Sequence, residues 1–188
     1  MDEVVARFQK AVNCFDSPLH QLVTDDLHRP TPCSEWDVRA LVQHVVYELA
    51  WVAPLVEGRT IAEVGDSLDG DLLGNDPLAA FHHHSRAAHE ALEETGALER
   101  TVHLSYGDET GAGYAAQVTG DVLVHAWDLA RALGQDDALP ADLVAWAAGW
   151  APEVTAMMAQ GGMVAPPLDA GPDADPQTAL LALFGRAR

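Results

Sequence analysis

The chain has 188 residues, which is enough for one domain with a substantial hydrophobic core. Its net charge of −19, from 29 acidic and 10 basic side chains, repels phosphate backbones and so predicts no nucleic-acid partner. No apolar run approaches the ~18 residues of a membrane span, and the N-terminal segment lacks the basic and apolar regions of a signal peptide. We therefore expect a cytoplasmic protein without a membrane partner.

Helical periodicity dominates the first 134 residues. In the first segment Val5, Phe8, Val12 and Phe15 recur at spacings of three and four, which is typical of an amphipathic helix. The other helices are delimited by prolines and by capping residues. Ser34 is predicted to cap the second helix, Asp76–Pro77 to begin the third, and Gly134 to end the fourth. The predicted helices cover Asp2–Val23, Glu35–Leu55, Pro77–Glu94 and Gly113–Leu133.

The connections and the C-terminal part complete the predicted fold. An acidic, glycine-containing loop follows the second helix, and Thr101–Tyr106 alternates briefly, as in a short strand or an extended lid. A fifth helix is predicted over Pro140–Met158, and a short last helix begins at Pro176. The fold class is therefore all-α: one domain, an antiparallel four-helix bundle, with residues 135–188 as a helical extension packed on it.

The segment "DVLVHAWDLARA" places a carboxylate and an imidazole on the inward face of the fourth predicted helix. Asp121 and His125 are four residues apart, so their side chains are neighbours and suit chelation of one divalent ion. His44, on the inward stripe of the second helix, would provide a third ligand if the two helices were adjacent. On spacing alone the alternative is a core histidine that is hydrogen-bonded to an aspartate.

Several other residues are candidates for supporting or substrate roles. Arg39 and Asp128 suit either a buried pair joining two helices or support for the ligands. Glu48 suits a general base, a fourth ligand or a hydrogen-bond partner of His44. His103 and Tyr106 precede the fourth helix and are candidates for contact with substrate.

A second set of polar and aromatic residues is interpreted as structural. Trp36 and Trp127 are taken as packing residues, and Cys14 and Cys33 as reduced thiols outside any metal or redox motif. Three consecutive histidines, His82 to His84, point about 100° apart on a helix and cannot all bind one ion. We therefore interpret them as partly exposed.

Two motifs, "TPCSEWDVRALVQHV" and "DVLVHAWDLARALG", resemble those of the DinB-like metalloenzymes. The likeness is greater to the actinobacterial branch related to the mycothiol-dependent maleylpyruvate isomerase N-terminal domain, and it extends to "GDLLGNDPLAAF" and "LLALFGR". The resemblance implies a bundle that holds a divalent metal through His44, Asp121 and His125. In the isomerase-like pattern a glutamate precedes the second histidine; the shorter Asp121 would bring the ion closer to the helix or bind it through water.

The resemblance also implies a function. We expect a metal-dependent enzyme that uses a low-molecular-weight thiol, mycothiol, for transfer to a small electrophile or for its isomerisation. The ligand set suits zinc first, and also nickel, iron or manganese. Two alternatives stay open: a non-catalytic module that binds a metal or small ligand, and a structural bundle, as a monomer or a homodimer, with a buried His–Asp pair.

Overall fold

The computed structural model describes residues 2–160 and 164–188 and divides them into two compact units, residues 1–136 and 137–188. The first unit contains the four long helices, α1 (Glu3–Leu19), α2 (Val38–Val56), α4 (Pro77–Glu93) and α5 (Gly111–Leu133). It also contains a 3₁₀ turn (Thr24–His28), the short helix α3 (Ile61–Val64) and a hairpin of β1 (Thr101–Leu104) and β2 (Gly107–Thr110). The predicted four-helix bundle is confirmed.

The helices pack in the circular order α1, α5, α2, α4. Gln135, just beyond α5, donates to the carbonyl of Pro18 near the end of α1, so these two helices end at the same end of the bundle. Phe15 near the end of α1 stacks on Phe81 near the start of α4, so these two run in opposite directions. The predicted stripe of α1 is buried, with Phe8 and Phe15 fully so.

The end of the first helix and the start of the second differ from the predicted boundaries by three residues or more. The first helix ends at Leu19 rather than Val23, because the chain tightens into three-residue turns at Gln21 and Leu22. The second begins at Val38 rather than Glu35: Asp37, not Ser34, caps it by accepting from the Ala40 N–H. Residues 29–38 form a closed loop before it, tied by hydrogen bonds between Val38 and Arg29 and between Thr31 and Trp36.

The fourth bundle helix follows the hairpin without a break. α5 begins at Gly111, two residues earlier than predicted. A Cβ atom at this position would lie only 2.0 Å from the carbonyl oxygen of Ala97, so only glycine fits there. It ends as predicted at Gly134, whose φ of 70° is left-handed. The extended segment at Thr101–Tyr106 is the first strand of the hairpin, and its partner strand was not predicted.

The second unit contains α6 (Ala141–Ala148), α7 (Ala151–Gln160) and α8 (Pro176–Leu183). The single helix predicted over Pro140–Met158 is wrong, because the chain turns at Gly149 and Trp150 and Pro152 has no N–H to continue the helix. Gln177 ties α8 to the start of the unit through Asp137 and Leu139. Packing of this extension on the bundle stays a prediction. Nowhere in the described residues is a helix both long and apolar enough to cross a bilayer.

Candidate metal centre

Side chains from α2 and α5 meet inside the bundle. Nε2 of His44 lies 3.3 Å from Oδ2 of Asp121, and Nε2 of His125 lies 3.4 Å from Oδ1 of the same carboxylate. One donor atom from each of the three residues lies within 4.8 Å of the other two. The structure therefore brings together the three residues that were predicted from the sequence to be metal ligands.

The side chains of His44 and Asp121 are partly exposed, at 26% and 34%, but one polar atom of each is shielded from solvent and lacks a hydrogen bond. His125 is 5% exposed, and both His44 Nε2 and Asp121 Oδ2 are inaccessible to solvent without a hydrogen-bond partner among the described residues. These two atoms face each other, but their orientation does not make a hydrogen bond. Buried polar atoms without partners are costly, so the arrangement suits a ligand that both atoms could bind.

The donor atoms lie close to the spacing that a small divalent ion requires. Zinc bonds to nitrogen and oxygen are about 2.0 to 2.1 Å long, which separates the ligands of a tetrahedral ion by roughly 3.3 Å. The contacts of 3.3 and 3.4 Å have that length, and they involve different oxygens of Asp121, Oδ2 for His44 and Oδ1 for His125. The short aspartate side chain therefore contacts both histidines directly, one through each oxygen.

The carboxylate of Asp121 and the imidazole of His125 shift each other's pKa. Burial opposes the ionised form of Asp121, but the neighbouring imidazoles of His125 and His44 outweigh it and hold the pKa of Asp121 well below its usual range. Burial likewise opposes the charged form of His125, and the Asp121 carboxylate outweighs it and raises the pKa of His125 well above its usual range. A negative carboxylate between two imidazoles is the result.

A second layer of residues orients His125. Its Nδ1 lies 2.9 Å from Oδ2 of Asp128, which is fully buried one turn further along α5. The thiol of Cys33 donates to that same carboxylate oxygen at 3.3 Å. A carboxylate on the far nitrogen of a histidine fixes the ring and leaves Nε2 toward the site.

Trp36 packs against both histidines. Its ring centroid is 4.7 Å from that of His44 and 5.6 Å from that of His125, and the two imidazoles are 4.8 Å apart. The tryptophan lies in the closed loop before α2, next to Cys33. This loop therefore covers one side of the site and holds the histidine rings in place.

Glu48 and a group of tyrosines flank the other end of the cluster. Burial, reinforced by the negative charge of Asp121, raises the pKa of Glu48 to about 7. Burial, with a contribution from Glu48, also raises the pKa of Tyr114, which lies seven residues before Asp121 on the same stripe of α5. Tyr106, in the turn of the hairpin, donates to Gln117 of α5 and contributes to the same electrostatic environment.

The remaining candidates differ in position. Arg39 binds Asp71 through its guanidinium, 2.8 Å from the carboxylate, whereas Asp128 contacts His125 and Cys33. Of the two roles predicted for Arg39 and Asp128, these contacts favour support of a ligand by Asp128 over a pair between the two residues. His103 pairs with Asp108 across the hairpin at 2.7 Å. Substrate contact by His103 and Tyr106, and a base or ligand role for Glu48, stay predictions.

Three residues of this site were not named as functional from the sequence. Tyr114 could have been found from helical periodicity, since it lies two turns before Asp121 on the same face of the helix. Trp36 was interpreted as a packing residue. It lies in a loop without a periodic sequence pattern, so the residues that it stacks on could not be predicted. Cys33 reaches Asp128 across 95 positions of the chain, a contact that no local pattern encodes.

Comparison with known proteins identifies the family of the chain. The family model described as the mycothiol maleylpyruvate isomerase N-terminal domain matches residues 8–130, which include all three proposed ligands. The chain belongs to this family. Two strains of Mycobacterium tuberculosis each have a relative described as an uncharacterized protein, 34% identical over 148 residues, which are 76% of this chain and 74% of the relative. No solved structure matches the chain significantly.

Proposed function

We propose that the chain is a divalent-metal-dependent enzyme that uses a low-molecular-weight thiol of the mycothiol type. The reaction class is transfer of the thiol to a small electrophile, or isomerisation of that electrophile by thiol addition and elimination. The observation that carries the proposal is the pair of solvent-shielded atoms, His44 Nε2 and Asp121 Oδ2, that face each other without a hydrogen bond. Membership of the mycothiol isomerase family supports the thiol as co-substrate.

His44, Asp121 and His125 are the residues that would hold the ion, with zinc favoured by two imidazoles and one carboxylate. A bound divalent ion supplies Lewis acidity, which favours the thiolate form of a thiol coordinated to it. Asp128 keeps Nδ1 of His125 engaged, so that Nε2 faces the site. Trp36 limits the rotation of both rings and excludes water from that side.

The opposite end of the site would receive the substrates. Glu48 of α2, Tyr106 of the hairpin turn and Tyr114 of α5 are polar groups there, and Tyr114 precedes Asp121 on α5 whereas Asp128 follows it. Hydroxyl and carboxyl groups suit hydrogen bonding to the polar groups of a thiol co-substrate. We assign these residues to binding and orientation.

Elemental analysis of the purified protein tests the metal. We expect the wild type, after growth with added zinc or nickel, to retain an ion that is lost from His44→Ala and from His125→Ala. His103→Ala is the matched control, because it removes an imidazole that pairs with Asp108 outside this cluster. A wild type that carries as little metal as the two variants would contradict the proposal.

Calorimetric titration with mycothiol, combined with product analysis, tests the reaction. We expect metal-dependent thiol binding and a product from at least one member of a panel of electrophiles, maleylpyruvate included. Thiol binding without a product from any of them would favour the non-catalytic binding module instead.

A further inference from the structure

A second group of two histidines and one aspartate lies outside the site described above. Asp16 and His20 are near the end of α1, and His82 is near the start of α4. Oδ1 of Asp16 lies 2.6 Å from Nε2 of His82 and 3.2 Å from Nδ1 of His20. One donor atom from each residue lies within 4.8 Å of the other two.

The two groups have the same composition and the same spacing. Asp16 and His20 are four residues apart on one helix, as Asp121 and His125 are, and a neighbouring helix provides the other histidine in each case. We propose that Asp16, His20 and His82 form a second binding site for a borderline divalent cation such as zinc, nickel or copper. Two imidazoles and a carboxylate suit these ions better than magnesium or calcium, which prefer oxygen ligands.

The local geometry permits the ion without repacking of the core. The 2.6 Å contact must widen by less than 1 Å to reach the roughly 3.3 Å between ligands of a tetrahedral ion. The side chains of His20 and His82 are 52% and 47% exposed, so both rings are free of tight packing. The exposed side also leaves room for water to complete the coordination.

The backbone beneath the cluster is held by the core. Phe15 and Phe81, the residues immediately before Asp16 and His82, pack with their ring centroids 5.1 Å apart, and both are fully buried. This contact fixes the crossing of α1 and α4 where the cluster lies. The net charge of −19 also favours cations near the surface.

Without an ion, the same contacts serve as hydrogen bonds. His20 Nδ1 also lies 3.2 Å from the backbone carbonyl of Asp16, as expected for a polar side chain at a helix end. A purely structural cluster would keep these bonds and bind no cation. The two arrangements differ in the number of ions bound per chain.

Zinc titration by calorimetry of the chelator-treated full chain counts the sites. We expect two ions per wild-type chain, one per chain for His82→Ala and for His20→Ala, and two for His83→Ala. His83 is the matched control, because it is an exposed histidine next to His82 on the same helix and outside the cluster. The three substitutions are at solvent-exposed positions, and circular dichroism would check that each variant folds.

Two outcomes would overturn the second site. One is that His82→Ala and His20→Ala bind as many ions as the wild type; the other is that His83→Ala loses an ion as they do. Failure of this site is distinguishable from failure of the interior one, because the interior ion is lost from His44→Ala and His125→Ala instead. As a further readout, zinc should raise the melting temperature of the wild type more than that of His82→Ala, since the ion joins α1 to α4.

Discussion

The interior cluster of His44, Asp121 and His125 and the surface cluster of Asp16, His20 and His82 contain the same donor groups but differ in support. In the interior, a buried carboxylate and a tryptophan hold the histidine rings, and two shielded polar atoms lack a hydrogen bond. At the surface, the histidine rings are about half exposed, and each has a ring nitrogen in contact with the aspartate carboxylate. The type of donor group and its spacing along the chain therefore do not distinguish a preorganised site from an adaptable one.

The largest expected difference comes from the carboxylate behind the interior histidine. Asp128→Ala leaves the His125 Nδ1 and the Cys33 thiol without their buried acceptor. We expect the free energy of unfolding to fall by about 3 kcal/mol, in the range for breaking a buried pair. Asp16→Ala at the surface should lower it by less than ~1 kcal/mol. Urea denaturation of the metal-free proteins measures both, and equal losses would remove the distinction between the clusters.

The pH dependence of stability should also report on the interior cluster in metal-free protein. The lowered pKa of Asp121 adds stability that is present above its ordinary value of 3.8 and is lost as the pH falls toward the folded pKa. The raised pKa of His125 adds stability that is present below 6.5 and is lost as the pH rises through the folded pKa.

We therefore expect the melting temperature in the presence of a chelator to be highest between about pH 4 and 6.5 with respect to this pair. Asp121→Asn should weaken both flanks of the profile, because it removes the charge that shifts both groups. An Asp121→Asn profile that is superimposable on the wild-type profile would refute the coupling.

Lengthening the carboxylate by one methylene tests how rigid each cluster is. Asp121 already contacts both histidines, one through each oxygen, so Asp121→Glu should displace the carboxylate and weaken zinc binding by roughly tenfold. Asp16→Glu should change binding at the surface much less, because the exposed rings can move with the longer side chain. Competition with a chromophoric chelator gives both affinities. Tighter zinc binding by Asp121→Glu would indicate that the aspartate is too short.

The smallest effect is expected at Cys33. Cys33→Ala removes a thiol donor from the buried Asp128 and should lower the free energy of unfolding by about 1 kcal/mol. Cys33→Ser keeps a donor and should stay close to the wild type. Chemical denaturation of the two variants checks this. A serine variant as unstable as the alanine variant would point to packing of the sulfur rather than to its hydrogen bond.

The long helices and the faces that they bury could be predicted from the local sequence pattern. A period of 3.6 residues is local, so it placed Val5, Phe8, Val12 and Phe15 in the core and put Asp121 and His125 on one face of α5. The break at Gly149 and the late start of α2 were missed, because capping and turn contacts outweigh a continuous apolar pattern there.

Which histidine meets which aspartate depends on how the helices pack. The pattern of acid and histidine four residues apart occurs at Asp16 and His20 as well as at Asp121 and His125, and only the second pair was predicted to be a site. The packing of α4 against α1 brings His82 to the first pair, and the packing of α2 against α5 brings His44 to the other. Such contacts join residues that are distant in the chain, so no local period encodes them, and burial then sets how firmly each cluster is held.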